Sequence, residues 1–217
     1  MTGYADFLLL VVVALSLSIV ATSRLTSCVR ASALQGVALS LLPLALWGRA
    51  LDRHMLPVVV MSLGTLAVKG VVIPLLLSRA IREANVRREA EPFISLHFSL
   101  LIAAALVGFS FWLGTVLVLP RSAPTPLLVP IAFATLLVGF LVLVVRRKAV
   151  TQVVGYLMLE NGIFIFGQTL VEEIPFAVEL GILLDLLVGV FVMGIAINHI
   201  SREFEHIDTE WLSALRD

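Results

Sequence analysis

Apolar residues occur in this chain as runs long enough to cross a bilayer, one after another, with short polar breaks between them. A hydrocarbon core about 30 Å thick is spanned by about 20 apolar residues in a helix. Seven segments meet that length, at about 4–23, 31–50, 55–78, 95–119, 126–146, 149–170 and 175–199. They lack the apolar–polar alternation of a membrane barrel strand. A helix satisfies its own backbone hydrogen bonds where water is absent, so helices are the expected form. Apolar residues make up 60% of the 217 and charged residues 14%, and mean hydropathy is +1.08. A soluble domain of this length has no use for so much apolar surface. The expected fold class is an all-α polytopic integral membrane protein with seven transmembrane helices.

Basic residues set the orientation. Assigned alternately to two sides, the connections place Arg24, Arg30, Arg79, Arg82, Arg87, Arg88, Arg146, Arg147, Lys148, Arg202 and Arg216 on one side. Arg49, Arg53 and Arg121 fall on the other, so the asymmetry is eleven to three. The positive-inside rule then gives an N-out, C-in topology. The formal net charge is zero, which implies no long-range attraction to nucleic acid.

The first segment has no basic n-region and too long an apolar run for a signal peptide, and is read as a retained helix. Cys28 is expected in a cytoplasmic loop. A single cysteine excludes an internal disulfide, a cysteine-ligated iron–sulfur cluster and a cysteine-ligated nickel or zinc site. His54, His97, His199 and His206 are scattered without metal-ligand spacing. No catalytic residue, metal or cofactor is therefore expected in this chain.

Four regions follow from the pattern of breaks. Residues 1–119 form a four-helix membrane region. Residues 120–130 carry Pro120, Pro124, Pro126 and Pro130 and read as a rigid external linker. Residues 131–199 form a three-helix region, and 200–217 an amphipathic cytoplasmic tail.

Four ionisable residues lie deep within the apolar segments: Lys69, Glu160, Glu179 and Asp185. A charge at the centre of a bilayer costs at least about 2.5 kcal/mol and is usually retained for a task. Lys69 lies about 21 Å along its segment, and Pro74 five residues on deprives the helix of a hydrogen bond at the Gly70 carbonyl. The competing reading is a lysine snorkelling to the cytoplasmic interface. Glu160 lies about 16 Å into the sixth segment, beside Asn161, while Gly155 and Gly162 permit close helix approach. Asp185 comes to a similar depth in the seventh segment, about 15 Å from Pro175. Burial and a neighbouring lysine act on a carboxyl group in opposite senses, as a proton relay requires. The competing reading for both acids is an interhelical structural hydrogen bond. Glu179, about a turn inside the external boundary, fits a water-facing position equally well.

At these residues a resemblance emerges. The last three segments resemble the three-helix K subunit of bacterial complex I and the C subunit of multisubunit sodium/proton antiporters. The shared pattern is the basic turn Arg146-Arg147-Lys148, then Gly155, a carboxylate and Asn161, and an acid four residues before a glycine, Asp185 and Gly189. The K-subunit glutamate falls two residues after the glycine, where this chain has Leu157. Nearly the whole chain resembles the hydrogenase-4 component E family of formate hydrogenlyase-type group 4 [NiFe] hydrogenases. The likeness is carried by Lys69 with Pro74, Gly155-Tyr156, Met158 to Gly162, Val178 to Gly181 with Asp185, and the tail from Asp208 to Arg216.

That resemblance implies a non-redox, non-catalytic membrane-arm subunit in a bacterial or archaeal cytoplasmic membrane. Its implied partners are lipids, antiporter-like membrane subunits, a membrane anchor subunit and a peripheral [NiFe] hydrogenase module. The nickel–iron and iron–sulfur centres would belong to those partners. Lys69, Glu160, Asp185 and Glu179 would line a proton pathway, supported by Pro74 and Asn161. Two other classes compete with this reading: a cation/proton antiporter subunit with no redox module, and a scaffold whose buried charges only fix helix packing.

Overall fold

The computed structural model describes residues 2–47, 55–83, 94–117, 123–147 and 149–169. Helix α1 spans Thr2–Ala21, α2 Leu25–Trp47, α3 Met55–Thr65 and α4 Ile73–Glu83. Between α3 and α4 lies a π-helical segment, Leu66–Val72. Helix α5 spans Leu96–Val116, α6 Leu128–Val145 and α7 Ala149–Gly167. Six of the expected segments thus fall on helices long and apolar enough to cross a membrane, from Gly3–Ala21 to Val150–Gly167. The seventh, 175–199, lies outside the described residues, as does the 200–217 tail.

Two expectations shift. Helix α2 begins six positions before the expected start at 31, because Thr22–Arg24 suffices to turn the chain. Cys28 is therefore not in a loop. It sits in the first turn of α2, buried at the end of the bundle where α1 gives way to α2. Arg30 remains exposed on the same turn, as a long basic side chain does near a membrane interface. The last residues of the proline-rich stretch, Leu128–Pro130, already form the first turn of α6. There the fixed φ of proline suits a helix start.

Helices α3 and α4 join through the π segment without leaving helical dihedrals, since Thr65 and Ile73 are both right-handed. The Ile73 N–H donates to the Val68 carbonyl, an i→i−5 bond. In that register the N–H that Pro74 lacks would have served Lys69, not Gly70 as the α register predicts. Buried positions along this long helix are Met61, Ser62, Thr65, Lys69, Ile73 and Leu77, and the last four are spaced by four residues. At 3.6 residues per turn such a stripe would drift by about 40° at each step. The wider π turn takes up that drift and keeps the stripe against one wall.

Helices α6 and α7 pack as a close antiparallel pair. A Cβ on Gly155 would fall 2.6 Å from the Leu143 amide nitrogen, and one on Gly162 2.6 Å from that of Leu136. Gly139 of α6 meets the Leu159 backbone in the same way. Small residues let membrane helices approach backbone to backbone, where dispersion replaces the missing hydrophobic drive. Helix α2 packs on α1, on α7 and on the α3–π–α4 helix, so it stands between the polar residues of its neighbours.

Two apolar clusters fill the bundle. One contains Ile19, Ala31, Ile73, Val138, Leu157 and Met158; the other contains Val12, Ala38, Ala132 and Ile165. Each of α1, α2, α6 and α7 passes from one cluster to the other, and each carries buried polar side chains at the crossing. These are Ser16, Gln35, Thr135 and the pair Glu160–Asn161.

Candidate functional site

The polar layer between the two clusters is the candidate site. Lys69 enters it from the middle of the π segment, midway between Val58 and Arg79 of its candidate span. Its side chain does not reach for the interface, as the snorkelling reading requires. It is 5% exposed and turns into the bundle. Nζ lies 3.2 Å from Oε1 of Glu160 and donates to Oδ1 of Asn161 at 3.1 Å. The Phe164 ring, one turn along α7, lies 5.1 Å from Nζ and adds a cation–π contact.

Glu160 is as deeply enclosed as Lys69, with both side chains 4% exposed. Its second oxygen, Oε2, is buried and has no hydrogen-bond partner among the described residues. Asn161 continues the layer, donating from Nδ2 to Oε1 of Gln35 at 3.4 Å. Gln35 in turn donates from Nε2 to Ser16 Oγ at 2.8 Å and to the Val12 carbonyl at 3.1 Å. The Ser16 hydroxyl donates to the same Val12 carbonyl at 2.9 Å. An unbroken polar chain thus runs from the ion pair through α7 and α2 to α1.

A buried ion pair is attractive only while both partners stay in place, because removing one strands an uncompensated charge. The arrangement can therefore hold a proton on either of two groups at one depth, and a change on one is felt by the other. Among the expected residues, Lys69, Glu160 and Asn161 are brought together here. Pro74 stands half-buried in the first turn of α4, just beyond the π segment that carries Lys69. Glu179 and Asp185 lie outside the described residues.

Sequence reasoning missed Ser16, Gln35 and Thr135. It weighed ionisable groups inside apolar runs and took in neutral ones only beside Glu160, as with Asn161. Gln35 carried a usable signal, as an amide near the centre of a membrane segment. Thr135 carries none, since its hydroxyl is satisfied by the Ile131 carbonyl of its own helix at 2.8 Å. Reasoning also counted Arg146 among the loop residues. Its guanidinium is buried, and Nη2 donates to the Val20 carbonyl at 2.7 Å and the Thr22 carbonyl at 3.2 Å. It ties the α6–α7 turn to the C-terminal end of α1, where carbonyls lack helical donors.

Comparison with known proteins gives two levels of similarity. Hydrogenase-4 component E of Escherichia coli K12, like that of Shigella flexneri, is 26% identical over 148 residues, 68% of this chain and 68% of the relative. That likeness is shorter than the nearly full-length resemblance the motifs led us to expect. "Uncharacterized protein Rv0085" of Mycobacterium tuberculosis is 38% identical over 203 residues, 93% of this chain and 91% of the relative. No family model and no solved structure matches. At that identity and coverage, the chain belongs to the same family as the mycobacterial protein Rv0085.

Proposed function

We propose that this chain is a non-redox membrane-arm subunit of a complex I-related [NiFe] hydrogenase assembly of the formate hydrogenlyase type. In this reading its buried lysine and carboxylates contribute to a proton pathway coupled to electron transfer. The observation that carries it is the Lys69–Glu160 pair, 3.2 Å apart and enclosed midway along apolar helices. The cost of charges at that depth calls for a task. The distant similarity to hydrogenase-4 component E supplies the kind of assembly.

Asp185 and Glu179 extend the pathway from the last apolar segment, toward antiporter-like neighbours and the membrane anchor subunit. The nickel–iron and iron–sulfur centres belong to the peripheral partners, and this chain performs no catalysis. The membrane is the cytoplasmic membrane of a bacterium or archaeon, with the N-terminus outside.

Purification of the tagged chain from its own membranes tests the proposal. Co-isolation of a [NiFe] subunit together with antiporter-like subunits is the expected result. Isolation with antiporter subunits alone, and sodium-dependent transport, would replace it with the antiporter reading.

A further inference from the structure

The ends of the polar chain have fixed chemistry. The Val12 carbonyl can only accept, and a lysine ammonium can only donate. Gln35 therefore presents its NH₂ group to Val12 and Ser16, where both amide protons are used. The Ser16 hydroxyl spends its own proton on Val12 and leaves its oxygen to accept. With its donors committed, Gln35 offers only Oε1 to Asn161. Asn161 must then turn Nδ2 toward Gln35 and Oδ1 toward Lys69.

Every donor in the chain points from Lys69 toward α1, so neither amide can hand a proton to the lysine. Glu160 meets the Lys69 ammonium, and Asn161, Gln35 and Ser16 are joined to that pair in turn.

We infer that Gln35 is a positioning residue that, anchored on Val12 and Ser16, locks the Asn161 carbonyl toward Lys69 and so holds the ammonium against Glu160. The amide arm is then a closed end of the layer, and proton exchange takes place at the Lys69–Glu160 pair and not through the amides. The inference deepens the proposed function. It is tested on the protein alone, so its failure is separate from failure of the hydrogenase reading.

The test is an infrared pH titration of the full chain in lipid nanodiscs. The Glu160 carboxyl band is assigned by its loss in Glu160→Gln. Gln35→Met is expected to move the pH at which that band titrates by about one unit, a tenfold change in proton affinity. Because Gln35 acts through Asn161, the double variant Gln35→Met/Asn161→Leu should titrate like Asn161→Leu alone. Ser16→Ala removes one of the two anchors with little change of volume, and a smaller shift in the same sense is expected. Ser16→Ala stands as the test if Gln35→Met does not fold. An unmoved band in whichever of the two folds overturns the inference, as does additivity of either with Asn161→Leu.

Discussion

Gly36 of α2 lies directly against the Lys69 carbonyl: a Cβ added there would fall 2.5 Å from that oxygen and 2.6 Å from its carbon. The obstruction is backbone, so no side chain can swing aside. We expect Gly36→Ala to destabilise the bundle by about 1–3 kcal/mol, as overpacking does in close-packed interiors. Gly108→Ala is the control, because nothing lies within 4 Å of its added Cβ. Thermal unfolding in detergent should separate the two. Equal stability of both variants would mean that α2 and the π segment are not in contact.

The ion pair predicts an asymmetric mutational cycle. Lys69→Met leaves Glu160 buried opposite an apolar side chain, and should cost about 3–5 kcal/mol if the carboxylate remains charged. The double variant Lys69→Met/Glu160→Gln should recover a large part of that loss. Unfolding free energies in micelles decide the matter, and strict additivity of the single effects would show that the two residues do not interact.

In the assembled complex, Glu160→Gln and Asp185→Asn change charge with little change of shape. Electron transfer should persist in both while proton translocation falls. The measured quantity is the number of protons moved per electron in sealed vesicles. An unchanged ratio in normally assembled variants would leave the buried acids a packing role only.

Arg146 predicts an effect at the α1–α2 turn. Its bonds to Val20 and Thr22 close the α1–α2 turn, close to buried Cys28. Arg146→Met should cost about 1.5–3 kcal/mol, the range for hydrogen bonds from charged groups. It should also speed maleimide labelling of Cys28. A labelling rate equal to wild type would show that the clasp does not hold the turn.

Topology has its own test. Cysteines placed at residues 1–3 and 215–217 should react with an impermeant reagent from opposite sides of the membrane. Reaction of both ends from the same side would remove the N-out, C-in arrangement.

Much of this was legible before any coordinates. Six apolar segments became helices because hydrocarbon leaves the backbone no other economical form. Lys69 and Glu160 stood out because charge within an apolar run is costly wherever the run folds. Their meeting was only partly legible, since the sequence gives depth along each helix but not rotation about it. Pro74 announced a disturbance near Lys69 without revealing its form: proline removes one donor, whereas the π winding and the close approach of Gly36 to the Lys69 carbonyl emerge only in the packed helices. Gln35 and Ser16 stayed hidden because neutral polar groups reveal their role only through their partners. Arg146 was counted by its charge, and its burial arises from the short turn that brings Val20 within reach.

The four-residue stripe from Thr65 through Lys69 and Ile73 to Leu77 makes this helix sensitive to reading frame in an unusual way. Seven residues wound at the wider π pitch turn about as far as six of an ordinary helix, so removing one residue between Leu66 and Val72 would let the segment rewind as α-helix with its two flanks still facing nearly the same way. Met61 and Thr65 would keep the wall they share with Ile73 and Leu77, and the position given up would lie in the π turn that carries Lys69. A deletion in the α-helical flanks has no such slack and turns one flank by about 100° against the other, so the π turn is where this helix can lose a residue without turning its buried stripe.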